Sequence, residues 1–420
     1  MGRKNFKTFK LISLEEVSCR LSGVPTARLS VHEMVSVENS VGRVLAEDVV
    51  SKVNIPDRRI AVFDGYAVIS SDISSALLDN PVTLKIVGET FSDTTSPRTL
   101  SPGAAVYTAC GAPVSDAGDA VIKVENTRLM GGHVQVISPL EPGKNIALVG
   151  EDVKKGDRIL AKSSILRPQD VGLLAGIGLR SVKVMKKPKV GIISIGDELA
   201  KSRKSGKISN NYALMISGLV SEICCDPRLL GIATDDLGQI KKAISKGVEK
   251  MDVVTTIAGC SVGVKDLVPR AIKDLGGSIL LHGVKLSPGT PMGVGILKGK
   301  PVVMLPGYIV SAYAAFYTLL APIITNIIGL TTEKFFPIIK ARLTHDVRGK
   351  QVSTFMRVRL RSLDSGFSAE PVRGGSSRLS TLVKSNGYTI VPIKKELKKG
   401  ELVDVVFYDM YEFSRFSMNG

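Results

Sequence analysis

The alternation across residues 187–330 constrains the fold more than any other feature. The run Lys189–Ile195 (KVGIISI) leads into Gly196-Asp197-Glu198-Leu199, and LLGIA ends at Asp235-Asp236. DVVTTIAG ends in Gly259-Cys260-Ser261-Val262-Gly263, and PVVML ends in Pro306-Gly307. Amphipathic segments of helical length lie between these runs. Short runs of Val, Ile and Leu suit strands buried on both faces, so the pattern predicts βαβ units on a mostly parallel sheet. Ligands of such sheets bind beyond the carboxyl ends of the strands. The Gly, Asp and Ser residues fall at those ends and predict one polar rim.

The flanking segments have other periods. Residues 13–47 read as helical, and residues 80–140 alternate strand-like runs with Gly and Pro, as a small inserted β domain would. Leu166–Leu179 reads as a helix with Pro168 near its start. From Pro337 the chain alternates again, as in a small barrel or sandwich. No fixed-period repeat is present. The expected organisation is a split N-terminal helical and extended domain (1–50 with 143–185), an inserted β-rich domain (51–142), an α/β core (186–330) and a C-terminal β domain (335–420).

A net charge of +17 points to an anionic partner such as a phosphorylated ligand, an oxyanion, nucleic acid or a membrane surface. Trp is absent and aromatics make up 5%, which disfavours a base-stacking surface, so no nucleic-acid partner is expected. Cys19, Cys110, Cys224, Cys225 and Cys260 lack C-x-x-C spacing, which argues against a disulfide scaffold or zinc site. His32, His133, His282 and His345 are dispersed. The basic N-terminus lacks an apolar signal core. Ala312–Leu330 carries Thr318, Pro322, Thr325 and Asn326, and reads as a buried helix rather than a membrane span. A cytoplasmic protein with no membrane partner is expected.

Each motif has a plainer reading. Asp64-Gly65-Tyr66 supplies a carboxylate for a metal or water, or simply an Asp-Gly turn. Asp197 and Glu198 could ligate Mg²⁺ through hard oxygens, or begin a helix as an acidic first turn. The glycines around Ser261 could let backbone N–H groups reach a phosphate, yet they match neither a Walker A loop nor G-x-G-x-x-G. Pro288-Gly289-Thr290-Pro291 and Leu305-Pro306-Gly307 are rigid turns. Ser376-Ser377-Arg378 suits an oxyanion, or is a polar loop.

In this order the motifs resemble the MoeA family of molybdopterin molybdenumtransferases, which includes the gephyrin E domain. The resemblance is carried by DGYAV at 64–68, CGAPVSDAGDAVIKVE at 110–125, GKNIALVGEDVKKGD at 143–157 and LRPQDVGLLAGIG at 166–178. It continues with IGDEL at 195–199, KISNN at 207–211, DVVTTIAGCSVGVKD at 252–266, PGTP at 288–291, and SSRLSTLVKSNG at 376–387. It implies a multidomain α/β plus β protein. The core would be akin to the molybdopterin adenylyltransferases, with an inserted β domain and a C-terminal β-barrel. It implies a homodimer whose pockets are shared between copies. Such an enzyme inserts molybdenum, or tungsten, into adenylylated molybdopterin and releases AMP, assisted by Mg²⁺. The adenylyltransferase would be a further partner.

By the same resemblance Asp64, Asp152, Glu198, Asp235 and Asp266 would be catalytic, and Asp197, Asp235 and Asp266 would hold the metal. Gly259, Ser261 and Gly263 would cradle phosphate, with Cys110, Glu125, Pro288 and Pro306 also lining the substrate site. Ser311, Arg357, Ser376 and Ser377 would take the oxyanion, a bidentate arginine beside donating hydroxyls. The sequence departs from the family at several of these places. Cys110 stands for Thr, Ala61 for Ser, Ala258 for the first Gly of a double-glycine turn, and Ala147-Leu148-Val149 for arginines. Ser287 and Thr290 replace the lysines of K-P-G-K-P, and Tyr308-Ile309 replaces Asn-Pro. Those ammonium groups would neutralise an oxyanion, and Lys285 is the nearest replacement in sequence. The rival expectation is a paralogue that binds or carries molybdopterin as a scaffold without turnover.

Overall fold

The computed structural model describes residues 10–26, 31–200, 208–261 and 267–409. They group into two compact units: one comprises the chain up to Glu33, Gly42–Val44 and everything from Val184, the other Met34–Val41 with Leu45–Lys183.

The first unit holds the sheet expected from the apolar runs. Its order is Asp226–Ala233, Lys189–Ile195, Val253–Ile257, Lys300–Leu305, Gly293–Leu297, Ser278–His282. The first four strands are parallel and the last two antiparallel. From Lys189–Ile195 the chain crosses first to one neighbour, then to the other, which makes the carboxyl ends of Lys189–Ile195 and Val253–Ile257 the topological switch point. Ile240, Ile244 and Val248 of helix Leu237–Lys250, with Ala271 and Ile272 of helix Val268–Asp274, join Ile193, Val254 and Met304 in one core. Asp236 starts the first of these helices, its carboxylate accepting the Gln239 N–H at 2.9 Å.

The C-terminal strands close a barrel. Ser353–Leu363, Gly366–Pro371, Ile338–Leu343, Leu402–Phe407 and Gly387–Val391 pair in that order, and the last pairs back with the first. Ala341, Val358, Leu360, Val391, Val405 and Phe407 fill it. The apolar segment expected to be a buried helix is one: Ile309–Ile327 is long and apolar enough to cross a membrane, yet 83% of its apolar window is buried within the protein. It fastens the barrel to the sheet through aromatic rings. Tyr317 lies 5.3 Å from Tyr388, which stacks on Phe355 at 4.2 Å, and Tyr313 lies 5.3 Å from Tyr408. Burial pushes the Tyr408 phenol up to about 12, so it stays a neutral donor and acceptor beside Ser385 at 2.6 Å.

The second unit carries a six-stranded sheet in the order Ala120–Lys123, Gly65–Val68, Ala104–Thr108, Val82–Thr90, His133–Val136, Thr127–Met130. It buries Tyr66, Val68, Leu84, Ala105, Ile122 and Val134. The expectation of helix across residues 13–47 fails beyond Leu14–Leu21. Among the described residues of this stretch only a single helical turn, Val37–Asn39, follows. The valine spacing imitates a helical face, but Val37 N–H bonds Arg180 O, Leu45 N–H bonds Ser164 O and Ala46 N–H bonds Lys183 O. These distant backbone partners, and Gly42 at φ 72°, hold the segment extended.

Helix Pro168–Gly176 starts where Pro168 predicts. Asp170, 5% exposed, accepts the Arg167 N–H at 2.8 Å and its guanidinium at 2.9 and 3.0 Å. The Arg167 side-chain bond holds the Asp170 carboxyl below the usual carboxylate range. A depressed folded value means the contribution is complete above the unfolded-state value and is lost as pH falls through the folded one. Asp170→Ala should therefore cost about 1 kcal/mol at neutral pH. The gap from the wild type should close in acid, as urea melts from pH 7 down to pH 2.5 would show.

Candidate functional site

Beyond the switch point lies a cavity of about 220 Å³. Ser194 and Ile195 line it from one strand end, Ile257 and Ala258 from the next, with Glu198 and Ser377 completing the wall. Ser194 Oγ donates to Asn210 Oδ1 at 2.7 Å, which fixes the start of helix Asn211–Glu222 at the cavity edge. No helix begins at Gly196, so the acidic-first-turn reading of Asp197-Glu198 is excluded: the chain continues to the short strand Leu199–Ala200. Gly196 sits at φ 149°, and a Cβ there would lie 2.5 Å from both Glu198 carboxylate oxygens, so only glycine lets this carboxylate fold back over the strand end. Asp197 Oδ1 accepts the Asp235 N–H at 3.1 Å, which brings two of the three expected metal ligands together. Asp266 and Gly263 lie outside the described residues. Among the described residues no group of three His, Cys, Asp or Glu side chains is arranged to hold a metal ion.

The turn after Val253–Ile257 has a demanding backbone. Ala258 at φ 75° and Gly259 at φ 73° are both left-handed. A Cβ on Gly259 would also meet Val268 Cγ2 at 2.8 Å, so that position accepts glycine alone. The chain returns on itself, Val268 N–H bonding Gly259 O at 3.0 Å, and His282 Nε2 lies 2.7 Å from Cys260 O. Ser261 is exposed on this turn. The helix begins at Val268, two residues later than the expected Asp266. Ala258 bears a strain that glycine would not, so Ala258→Gly should stabilise the protein by up to about 1 kcal/mol, partly offset by the freer unfolded chain. A raised urea midpoint with unchanged slope is the expected reading, and a lowered midpoint would mean that the Ala258 methyl packs productively.

The expected oxyanion residues separate. Ser377 lines the cavity at the switch point, and Ser376 O accepts the Val310 N–H at 3.0 Å. That bond places Ser376 beside Ser311, which is buried on the first turn of Ile309–Ile327 after Pro306. Gly289 packs against Ser311 O. Arg357 instead lines a second cavity of about 350 Å³ with Pro288, on the barrel. Its guanidinium donates to Thr381 Oγ1 and to Gly374 O, each at 2.8 Å, and so also ties down the loop that bears Ser376 and Ser377. Lys285 lines neither cavity; its backbone N–H bonds Ile12 O and its carbonyl accepts the Ser353 N–H.

In the second unit Asp64 Oδ1 accepts the Cys110 N–H at 2.7 Å, and the Cys110 thiol donates to Val62 O at 3.1 Å. Asp64 O accepts the Val124 N–H, which sets the turn bearing Glu125 beside it. Asp152 stands on a separate loop, its N–H bonded to Ile55 O at 3.0 Å. Sequence reasoning did not reach Ser194 or the barrel groups Thr354, Lys350 and Arg373 of the second cavity. The strand-end position of Ser194 was a usable signal; the barrel groups gave none.

Three family descriptions match the chain in order: the MoeA N-terminal region (domains I and II) over 12–178, a probable molybdopterin binding domain over 191–326, and the MoeA C-terminal region (domain IV) over 340–408. A protein of Methanocaldococcus jannaschii named for molybdopterin biosynthesis is 32% identical over 88% of this chain and 91% of its own. The chain belongs to the MoeA family. The molybdopterin molybdenumtransferase of Haemophilus influenzae is 31% identical over 89% of this chain and 93% of its own. A crystal structure titled as a molybdopterin biosynthesis MoeA protein from Pyrococcus horikoshii matches 95% of this chain and 100% of that one, with TM-score 0.79 and 31% identity. The α/β core, inserted β domain and C-terminal barrel are thus those of the MoeA fold.

Proposed function

We propose that this MoeA-family chain is a molybdopterin molybdenumtransferase of molybdenum cofactor biosynthesis, which takes adenylylated molybdopterin and molybdate or tungstate and releases AMP. The observation that carries the reading is the cavity at the switch point, where Glu198, Ser194 and the left-handed Ala258, which precedes the equally left-handed Gly259, line a space of about 220 Å³. Glycine at such a turn lets backbone come close to a phosphate. The Asp197 carboxylate beside Asp235 fits a hard divalent cation such as Mg²⁺. Bound there, the ion would screen phosphate charge. Asp64, Cys110, Glu125 and Asp152 would reach the cleft from the second copy of a homodimer.

Purified chain given adenylylated molybdopterin, Mg²⁺ and molybdate should release AMP, and omission of the oxyanion should slow that release. No AMP with either molybdate or tungstate would replace the enzyme by a scaffold that holds the pterin.

A further inference from the structure

The amino ends of the core strands carry cations without counter-ions among the described residues. A cavity of about 430 Å³ opens there, lined by Arg43, Lys186, Lys187 and Lys189 together with Glu33, Cys225 and Asp226. All of these residues belong to the first unit. Lys189 begins the strand that Ser194 and Ile195 end, so this cavity lies at the opposite ends of the strands from the switch-point cavity. Its two carboxylates are already engaged. Glu33 accepts from Arg43 at 2.6 Å, and Asp226 accepts from Arg228 at 2.7 Å. The side chains of Lys186, Lys187 and Lys189 have no carboxylate partner among the described residues.

The backbone beneath these lysines is pinned. Lys186 N–H donates to Val31 O at 2.7 Å, Pro188 O accepts the Asp226 N–H at 2.9 Å, and Lys189 N–H donates to Asp252 Oδ2 at 2.8 Å. Arg43, whose side chain is 11% exposed, donates to Met185 O at 2.9 Å as well as to Glu33. Cys224 and Cys225 add no negative charge: burial pushes both thiols up, and the Lys187 charge opposes that rise at each. Like charges held close together repel, and a bound anion removes that cost.

The surroundings favour a peptide over a small anion. Asp226 and Pro227 line the cavity and also begin Asp226–Ala233, the edge strand of the sheet. The outer side of this strand has no strand beside it among the described residues, and Arg228, Leu229 and Leu230 on it are exposed. Its register against Lys189–Ile195 is regular over residues 226–229 and slips only at Leu230. A small anion would engage the lysines and leave this edge and Leu229 uncovered. An extended segment can use both, its main chain along the edge and its carboxylates on the lysines. Lysine holds a carboxylate as a point charge on a flexible stem rather than by a rigid fork, which suits an acidic segment of no fixed side-chain geometry.

We infer that this face docks an extended, acidic segment of a partner protein, with carboxylates at Lys186, Lys187 and Lys189 and main chain against the edge at residues 226–229. It is independent of the switch-point chemistry proposed above.

Fluorescence anisotropy of a labelled peptide of alternating Glu and Val, titrated with the full chain, tests it, with Gln in place of Glu as the neutral control. The Glu peptide should bind and the Gln peptide should not, and affinity should fall as salt rises. Lys187→Gln with Lys189→Gln should weaken binding at least about tenfold, with an unchanged urea melt. Methylation of alternate peptide amides, which removes the main-chain donors needed for strand addition, should weaken it by about tenfold as well. Lys394→Gln with Lys399→Gln, the same charge change on exposed barrel residues, should leave affinity unaltered. Equal weakening by the barrel pair, equal binding of the Gln or methylated peptide, or no binding of any peptide would overturn the inference. Stoichiometric binding of pyrophosphate that is lost in the Lys187 and Lys189 variant, with the Glu peptide unbound, would also overturn it and leave a small-anion site.

Discussion

Asp64→Asn should lower molybdate-dependent AMP release by about a hundredfold or more while leaving the protein folded. The substitution is informative because it separates charge from shape. Asp64 Oδ1 accepts the Cys110 N–H at 2.7 Å, and an asparagine carbonyl can accept the same bond, so the turn keeps its geometry. What disappears is a negative charge on an exposed side chain beside the Glu125 turn. Steady-state AMP release and a urea melt on the same preparation give the two readings. A lost rate with an intact melt marks a carboxylate whose charge is used in turnover. A wild-type rate would remove Asp64 from the catalytic set, and a collapsed melt would make it a structural turn residue.

The neighbouring glycine should show the opposite division. A Cβ on Gly65 would lie 2.0 Å from Ile122 O and 2.8 Å from its carbonyl carbon. Backbone cannot yield as a flexible side chain can, and Gly65–Val68 pairs with Ala120–Lys123 at this very place. Gly65→Ala must therefore break the pairing or shift the strand, at a cost of about 3 kcal/mol or more. Native-state hydrogen exchange should show lost protection at Tyr66 and Ile122, with the parallel core sheet spared. Protection unchanged at these amides would mean that the strand accommodates the methyl by sliding.

The sequence is legible where burial is two-sided. Lys189–Ile195 and Lys300–Leu305 are nearly continuous apolar runs because both faces of a parallel sheet are covered, and the residues that follow them had to be the polar rim. Asp236 and Pro168 mark helix starts for reasons local to a few residues. Legibility fails where partners are distant in the chain. Val35 to Leu45 has apolar spacing that suits a helix, but backbone bonds to Ser164, Arg180 and Lys183 decide its conformation. The barrel cavity is hidden for the same reason. Lys350, Thr354, Arg357 and Arg373 converge only because the barrel closes and Ser287 pairs beside Thr354, and no short pattern announces that. The candidate residues Asp64, Glu198 and Ser377 are singled out only through the family resemblance, whereas their individual turns are each compatible with a plainer role.

The exchange of AMP for metal on the pterin is the central claim, and a single-turnover product analysis reaches it most directly. Enzyme in excess over adenylylated molybdopterin, with Mg²⁺ and molybdate, would be quenched, and AMP and pterin-bound molybdenum counted in the same sample. One molybdenum per AMP is the predicted result; AMP released without molybdenum on the pterin, or intact adenylate recovered from the protein, would contradict it.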